Sequence, residues 1–205
     1  AKYVTQKWID GLQINVLECD RNKSIKYIDH LADTLKILDC GGYGSQINQN
    51  CINYLKKIKV LKFYNNYKIN NVDHLSDTLE ELDCGGKKLY WGRNSKFGQN
   101  SILRLKNIRI LKCDNNSKII NVNHLSETLF SLSCEGSQLQ QSGICDLKLK
   151  YLNCSHNNIT YDFSNMAETL EYLDCSGTNT PQSSIQKLKN IKIFLCDSNK
   201  NIYDV

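Results

Sequence analysis

No run of apolar residues in this chain approaches the ~20 that a bilayer-spanning helix needs, so no membrane segment is expected. The opening Ala-Lys-Tyr-Val-Thr-Gln-Lys-Trp lacks an apolar h-region, and no secretory signal is read in it. Charge of one sign is also scarce. Across 205 residues, 26 basic side chains oppose 21 acidic ones for a net +5, short of the concentrated basic stripe of a dedicated nucleic-acid binder. Among ten cysteines there is no C-x-x-C, so the close ligand pairs of ordinary zinc sites are missing. No nucleophile–base pair, glycine-rich phosphate loop or paired catalytic carboxylate stands out. No enzyme activity, metal or cofactor is expected.

What the chain does have is a period. The pattern Leu/Ile-x-x-Leu-x-Cys returns nine times and ends on Cys19, Cys40, Phe63, Cys84, Cys113, Cys134, Cys154, Cys175 and Cys196. Successive ends are 21, 23, 21, 29, 21, 20, 21 and 21 residues apart. Such regularity is the mark of a solenoid, in which each coil buries its apolar row against its neighbours. In 105–116, for example, Ile108, Leu111 and Cys113 should point inward while Ile110 and Lys112 alternate outward, as in a short strand. Asn116 should end the strand by bonding free backbone groups at the turn, and Asn22, Asn66, Asn157 and Asn199 share its phase.

The unit Leu-x-x-Leu-x-Cys-x-x-Asn resembles the leucine-rich repeat consensus over nearly the whole chain. Cys at the last apolar strand position is similar to the cysteine-ladder subclass of some bacterial internalin-type proteins. The Asn- and Lys-rich composition, with Pro181 its only proline, resembles leucine-rich repeat proteins of large amoeba-infecting viruses or protists. The resemblance implies an α/β horseshoe-type solenoid with nine short parallel strands on a concave face and irregular or short helical segments behind. It also implies a non-catalytic module that binds a protein.

Eight cysteines at one strand phase should stack as reduced, buried thiols acting as small hydrophobes, because stacked Cβ vectors run parallel where a disulfide needs them to converge. A reducing, intracellular setting follows, cytoplasmic or that of an infected host cell. Only the off-ladder Cys51 and Cys145 should be reactive, with Cys51 at a helix-capping slot that Ser101 and Ser184 also occupy. A second period overlies the first. Odd coils carry the Asn, and even coils hold Tyr43, Lys87, Ser137 and Thr178 instead. Three odd coils also lead into blocks containing His30, His74 or His124, spaced too far apart for one metal and read as structural. Gly41-Gly42 and Gly85-Gly86 read as turn glycines.

Two surfaces are candidates for binding. One outward strand column reads Val16, Ile37, Val60, Glu81, Ile110, Ser131, Tyr151, Tyr172 and Ile193, next to the mixed-charge column Glu18, Asp39, Lys62, Asp83, Lys112, Ser133, Asn153, Asp174 and Leu195. An apolar stripe with a polar rim suits a protein partner; β-propensity alone also explains Val, Ile and Tyr there. The second candidate is the insertion at 87–97, in a segment after Cys84 that is six residues longer than its counterpart after Cys40 and contains Lys87, Lys88, Tyr90, Trp91, Arg93, Lys96 and Phe97. Its Trp, Tyr and Arg are hot-spot types, whereas Trp91 and Phe97 could equally plug the local core. A basic aromatic loop also leaves open an anionic ligand or single-stranded nucleic acid, and a targeting module of a larger effector is a further alternative. The expected organisation is a cap over residues 1–13 and nine coils over 14–205, the last incomplete. Its uncapped edge at Ile202-Tyr203-Asp204-Val205 is a candidate for self-association.

Overall fold

The computed structural model describes residues 4–86 and 96–203. They form a leucine-rich-repeat solenoid whose contacts divide into two compact units, Ala1–Ile108 and Arg109–Val205.

The first unit contains four three-residue strands: β1 (Val16–Glu18), β2 (Ile37–Asp39), β3 (Val60–Lys62) and β4 (Glu81–Asp83). They pair in parallel and in chain order, so Val16, Ile37, Val60 and Glu81 lie in one register and Glu18, Asp39, Lys62 and Asp83 in another. Between these columns Leu17, Leu38, Leu61 and Leu82 are buried, as the period-2 alternation requires. The second unit repeats this with β5 (Ile110–Lys112), β6 (Ser131–Ser133), β7 (Tyr151–Asn153), β8 (Tyr172–Asp174) and β9 (Ile193–Leu195). Within each unit both predicted columns are present in register.

Eight of the nine strands are followed by a buried ladder residue, and in most coils the residue two positions beyond the ladder takes positive φ. In odd coils Arg21, Asn65, Asn115, His156 and Ser198 take φ between 54° and 59°; in even coils Gly42, Gly136 and Gly177 take φ between 57° and 79°. Left-handed backbone is costly for residues with a side chain. Here it directs the amide N–H onto the next coil, as in Arg21 N to Gly41 O at 2.8 Å and His156 N to Ser176 O at 2.7 Å. Even coils need Gly because the odd coil's side chain lies over them. A Cβ on Gly42 would sit 2.4 Å from Arg21 Cγ, and one on Gly136 2.7 Å from Asn115 Oδ1. The double-coil unit is therefore built into the turn as alternating large and empty positions.

The odd-coil Asn does what its spacing implies. Asn66 is buried, donates to Cys40 O at 3.1 Å and Ile47 O at 2.9 Å, and accepts from Lys68 N at 3.2 Å. Asn157 donates to Cys134 O and Cys154 O at 2.8 and 2.9 Å. One amide thus closes its own turn or spans to the preceding even coil, satisfying buried carbonyls that would otherwise be orphaned.

The coil backs carry single 3₁₀ turns or four-residue helices: α1 (Gln6–Ile9), α2 (Gln49–Ile52) and α3 (Gln182–Ile185). A glutamine recurs there. Gln49 accepts from Asn70 N and Asn71 N at 2.8 and 2.9 Å and donates to Asn71 O at 2.9 Å. Gln6 makes the same set with Lys26 N, Tyr27 N and Tyr27 O. Gln141 pairs both ways with Asp162. Two histidines complete the pattern: His30 Nε2 donates to Ile9 O and His74 Nε2 to Ile52 O, each at 2.9 Å. The segment at 6–9 therefore uses the same building block as the even-coil backs, with Ile9 buried and Trp8 73% exposed.

Candidate functional site

The ladder thiols are packing groups. Every cysteine is free, and all of the ladder is buried except the half-buried Cys196. Loss of hydration pushes the Cys19 and Cys175 thiols up to about 12 and those of Cys40, Cys134 and Cys154 well above the ordinary range. Cys134 and Cys154 donate weakly to Asn153 O and Asp174 O at 3.4 Å. Two expectations need correction. Cys51 is not exposed: it is buried and donates to Lys26 O at 3.0 Å, while Asn48 caps its helix by accepting from Asn50 N. The accessible thiols are Cys145 and Cys196, the latter only mildly desolvated at the edge strand.

The two breaks in the first unit's pattern are one feature. Phe63, where the ladder lacks Cys, meets Phe97, where the insertion ends, edge to face at 5.1 Å between ring centres. Both are fully buried. Phe97 stands five residues before Ile102, as the buried Ile47 stands before Ile52 and Leu139 before Ile144, so it fills a regular core slot. As a partner-binding candidate Phe97 is withdrawn, because it offers no surface. Tyr90, Trp91 and Arg93 lie outside the described residues.

The polar column is also less available than its composition implies. Asp39, Asp83, Asn153 and Asp174 each turn a side-chain oxygen onto their own turn, accepting from Gly41 N, Gly85 N, Ser155 N and Ser176 N at 3.0–3.2 Å. Burial raises the Asp39 carboxyl above its ordinary range, partly offset by the Gly41 bond. Glu81 pairs with Lys62 at 3.3 Å.

The open surface lies on the strand side of the second unit. Tyr151 is 43% exposed, Ile193 53% and Leu195 42%, with Ile110 and Tyr172 half-buried. The two tyrosine rings tilt against each other at 6.5 Å, and Phe130 meets Tyr151 edge to face at 6.1 Å. The Arg109 guanidinium lies 5.8 Å from the centre of the Phe130 ring, within cation–π range. Together they form a row of rings edged by charge. Phe130, Arg109, Lys150, Glu171 and Lys192 escaped the sequence reading because it followed only two columns. One position earlier, the same counting gives Arg109, Phe130, Lys150, Glu171 and Lys192 as a third.

The arrangement can hold a partner by apolar contact and rim charge. Among the described residues no group of three or more His, Cys, Asp or Glu could hold a metal ion, and no helix is long and apolar enough to cross a membrane. This chain has a leucine-rich-repeat fold. Its fold is similar to that of internalin C2 from Listeria monocytogenes, with a TM-score of 0.67 and 21% identity over 86% of this chain and 77% of that one. No protein-family model and no curated protein matches the chain.

Proposed function

We propose that this chain is a non-catalytic protein-interaction module whose partner docks on the strand side of the second unit. The observation that carries this reading is the row of the exposed Tyr151 between the half-buried Phe130 and Tyr172, continued by the exposed Ile193 and Leu195. Tyrosines at the centre of a polar rim are the residues that typically dominate protein interfaces. Ile110 extends the row on one side. Glu81 belongs to the first unit's face and is a weaker candidate, since it is paired to Lys62. Tyr90, Trp91 and Arg93 are carried as a second contact on the strength of their residue types. The buried free thiols favour an intracellular setting.

The test is a comparison of captured proteins between the wild type and a Tyr151→Ala/Tyr172→Ala variant, with the far-UV spectrum as a control for folding. Specific loss of the same partners from a folded variant is the expected result. An unchanged set removes this surface from consideration. If capture instead tracks Trp91→Ala and falls steeply with salt, the anionic-ligand or nucleic-acid alternative gains.

A further inference from the structure

Beside the tyrosine pair, the second unit carries an open depression of about 400 Å³. Phe130 gives it an apolar wall, and its charged lining is Lys148, Lys150, Lys192, Glu168 and Glu171. Glu171 is shared by two lysines, Lys192 at 2.9 Å and Lys150 at 3.3 Å. Glu168 is taken by Lys189, just outside the lining. Three ammonium groups line the depression against two carboxylates, an excess of one positive charge. Lys148 forms no ion pair or hydrogen bond among the described residues. The hydrogen bonds from Lys192 and Lys150 hold the Glu171 carboxyl below its ordinary range, so it stays charged and keeps its two lysines nearby. Ion pairs this exposed are weak and exchange readily.

We propose that this depression receives an acidic side chain of the partner protein, so that the segment docking here is acidic and amphipathic, its apolar anchor on Tyr151 and Tyr172 and its carboxylate on Lys148 and the Lys150–Lys192 pair. The inference rests on the protein-binding reading above and specifies that partner's chemistry. Phe130 joins the two halves: its ring touches Tyr151 on one side and walls the depression on the other. An anchor so placed supplies affinity, and the adjacent charge fixes orientation and speeds encounter. The same lining disfavours a run of phosphodiesters, since Glu168 and Glu171 stand among the lysines.

The experiment uses three short fluorescein-labelled synthetic peptides of equal length, each carrying the same Trp and Leu anchors. They are spaced by glutamate, glutamine or lysine. Each is titrated by fluorescence anisotropy against the wild type, Lys148→Glu/Lys192→Glu and Tyr151→Ala/Tyr172→Ala. The wild type should prefer the glutamate peptide over the lysine peptide by roughly tenfold, with the margin shrinking in salt. The lysine-site variant should reverse that order while keeping the wild-type unfolding midpoint. Equal binding of all three peptides, no binding of any, or a glutamate preference that survives in the lysine-site variant would overturn the inference. The tyrosine variant separates the two readings. Charge-blind binding to the wild type that is lost in the tyrosine variant leaves the docking surface standing and removes the acidic segment. A glutamate preference undiminished without the tyrosines removes the anchor, and with it the docking surface. Tighter binding of a single-stranded oligonucleotide than of the glutamate peptide also overturns the proposal.

Discussion

The two units are made from the same double coil, yet they depart from it in opposite directions. In the first, the irregular residues turn inward: Phe63 replaces a ladder cysteine and meets Phe97 in the core. The strand-side column there is plain, with Val16 exposed, Ile37 and Val60 half-buried, and Glu81 tied to Lys62. In the second unit the ladder is all cysteine and the strand-side column is the irregular part, with tyrosine, phenylalanine and arginine brought to the surface. A broken pattern therefore has no fixed meaning. It marks packing where the odd residue has a buried complement and a surface where it has none.

The largest effect that would break this contrast is at Phe63. Truncation to Ala should cost about 3–5 kcal/mol, the usual range for a buried aromatic, read from the urea midpoint. Phe63→Cys is the sharper variant, since it restores the ladder yet leaves Phe97 facing a void. It should be strongly destabilising, and a double-mutant cycle with Phe97→Leu should show coupling of roughly 0.5–3 kcal/mol. Additive effects would mean that the two rings are independent irregularities.

A smaller loss is expected at a regular position of the second unit. A Cβ on Gly143 would lie 2.2 Å from Ile120 O and 2.9 Å from Asn121 Cα, both backbone atoms. Gly143→Ala should therefore cost about 1–3 kcal/mol, as overpacking generally does, without altering peptide or partner selectivity. A neutral outcome would show that the coil backs are looser than their spacing implies.

The thiols separate the units without any mutation. Cys19, Cys40, Cys51 and Cys84 of the first unit are all buried, whereas the second unit holds the half-buried Cys145 and Cys196. Native labelling should modify those two quickly, and the other eight should react only on unfolding. Fast modification of any first-unit cysteine would contradict the packed ladder.

The fold was nearly all legible in advance, because the solenoid repeats its instructions. Strand phase, the buried ladder and the alternating Asn each recur often enough to be read by counting. The turn Gly42, with Arg21 lying over it, was visible only as a turn glycine, since the reason for it sits one coil away in space. The pairing of Phe63 with Phe97 was hidden for the same cause: 34 positions apart in sequence, they become neighbours only when consecutive coils stack. Composition misled most at Asp39 and Asp174. As letters they are rim charges, yet their carboxylates are turned onto the backbone of their own turns. The candidate site was half legible. Tyr151 and Tyr172 followed from strand phase, but Phe130 and the lysines lie one position outside the columns that were counted.

The measurement that bears most directly on the contrast is a paired affinity comparison of the two faces. Partner proteins are captured quantitatively with the wild type, with Val16→Ala/Ile37→Ala in the first unit, and with Tyr151→Ala/Tyr172→Ala in the second. Far-UV spectra establish that all three are folded. The tyrosine variant should lose its specific partners by tenfold or more, on the order of a lost hot-spot pair, while the valine–isoleucine variant should retain them. Retention by the tyrosine variant together with loss by the valine–isoleucine variant would place recognition on the plain face and contradict the account.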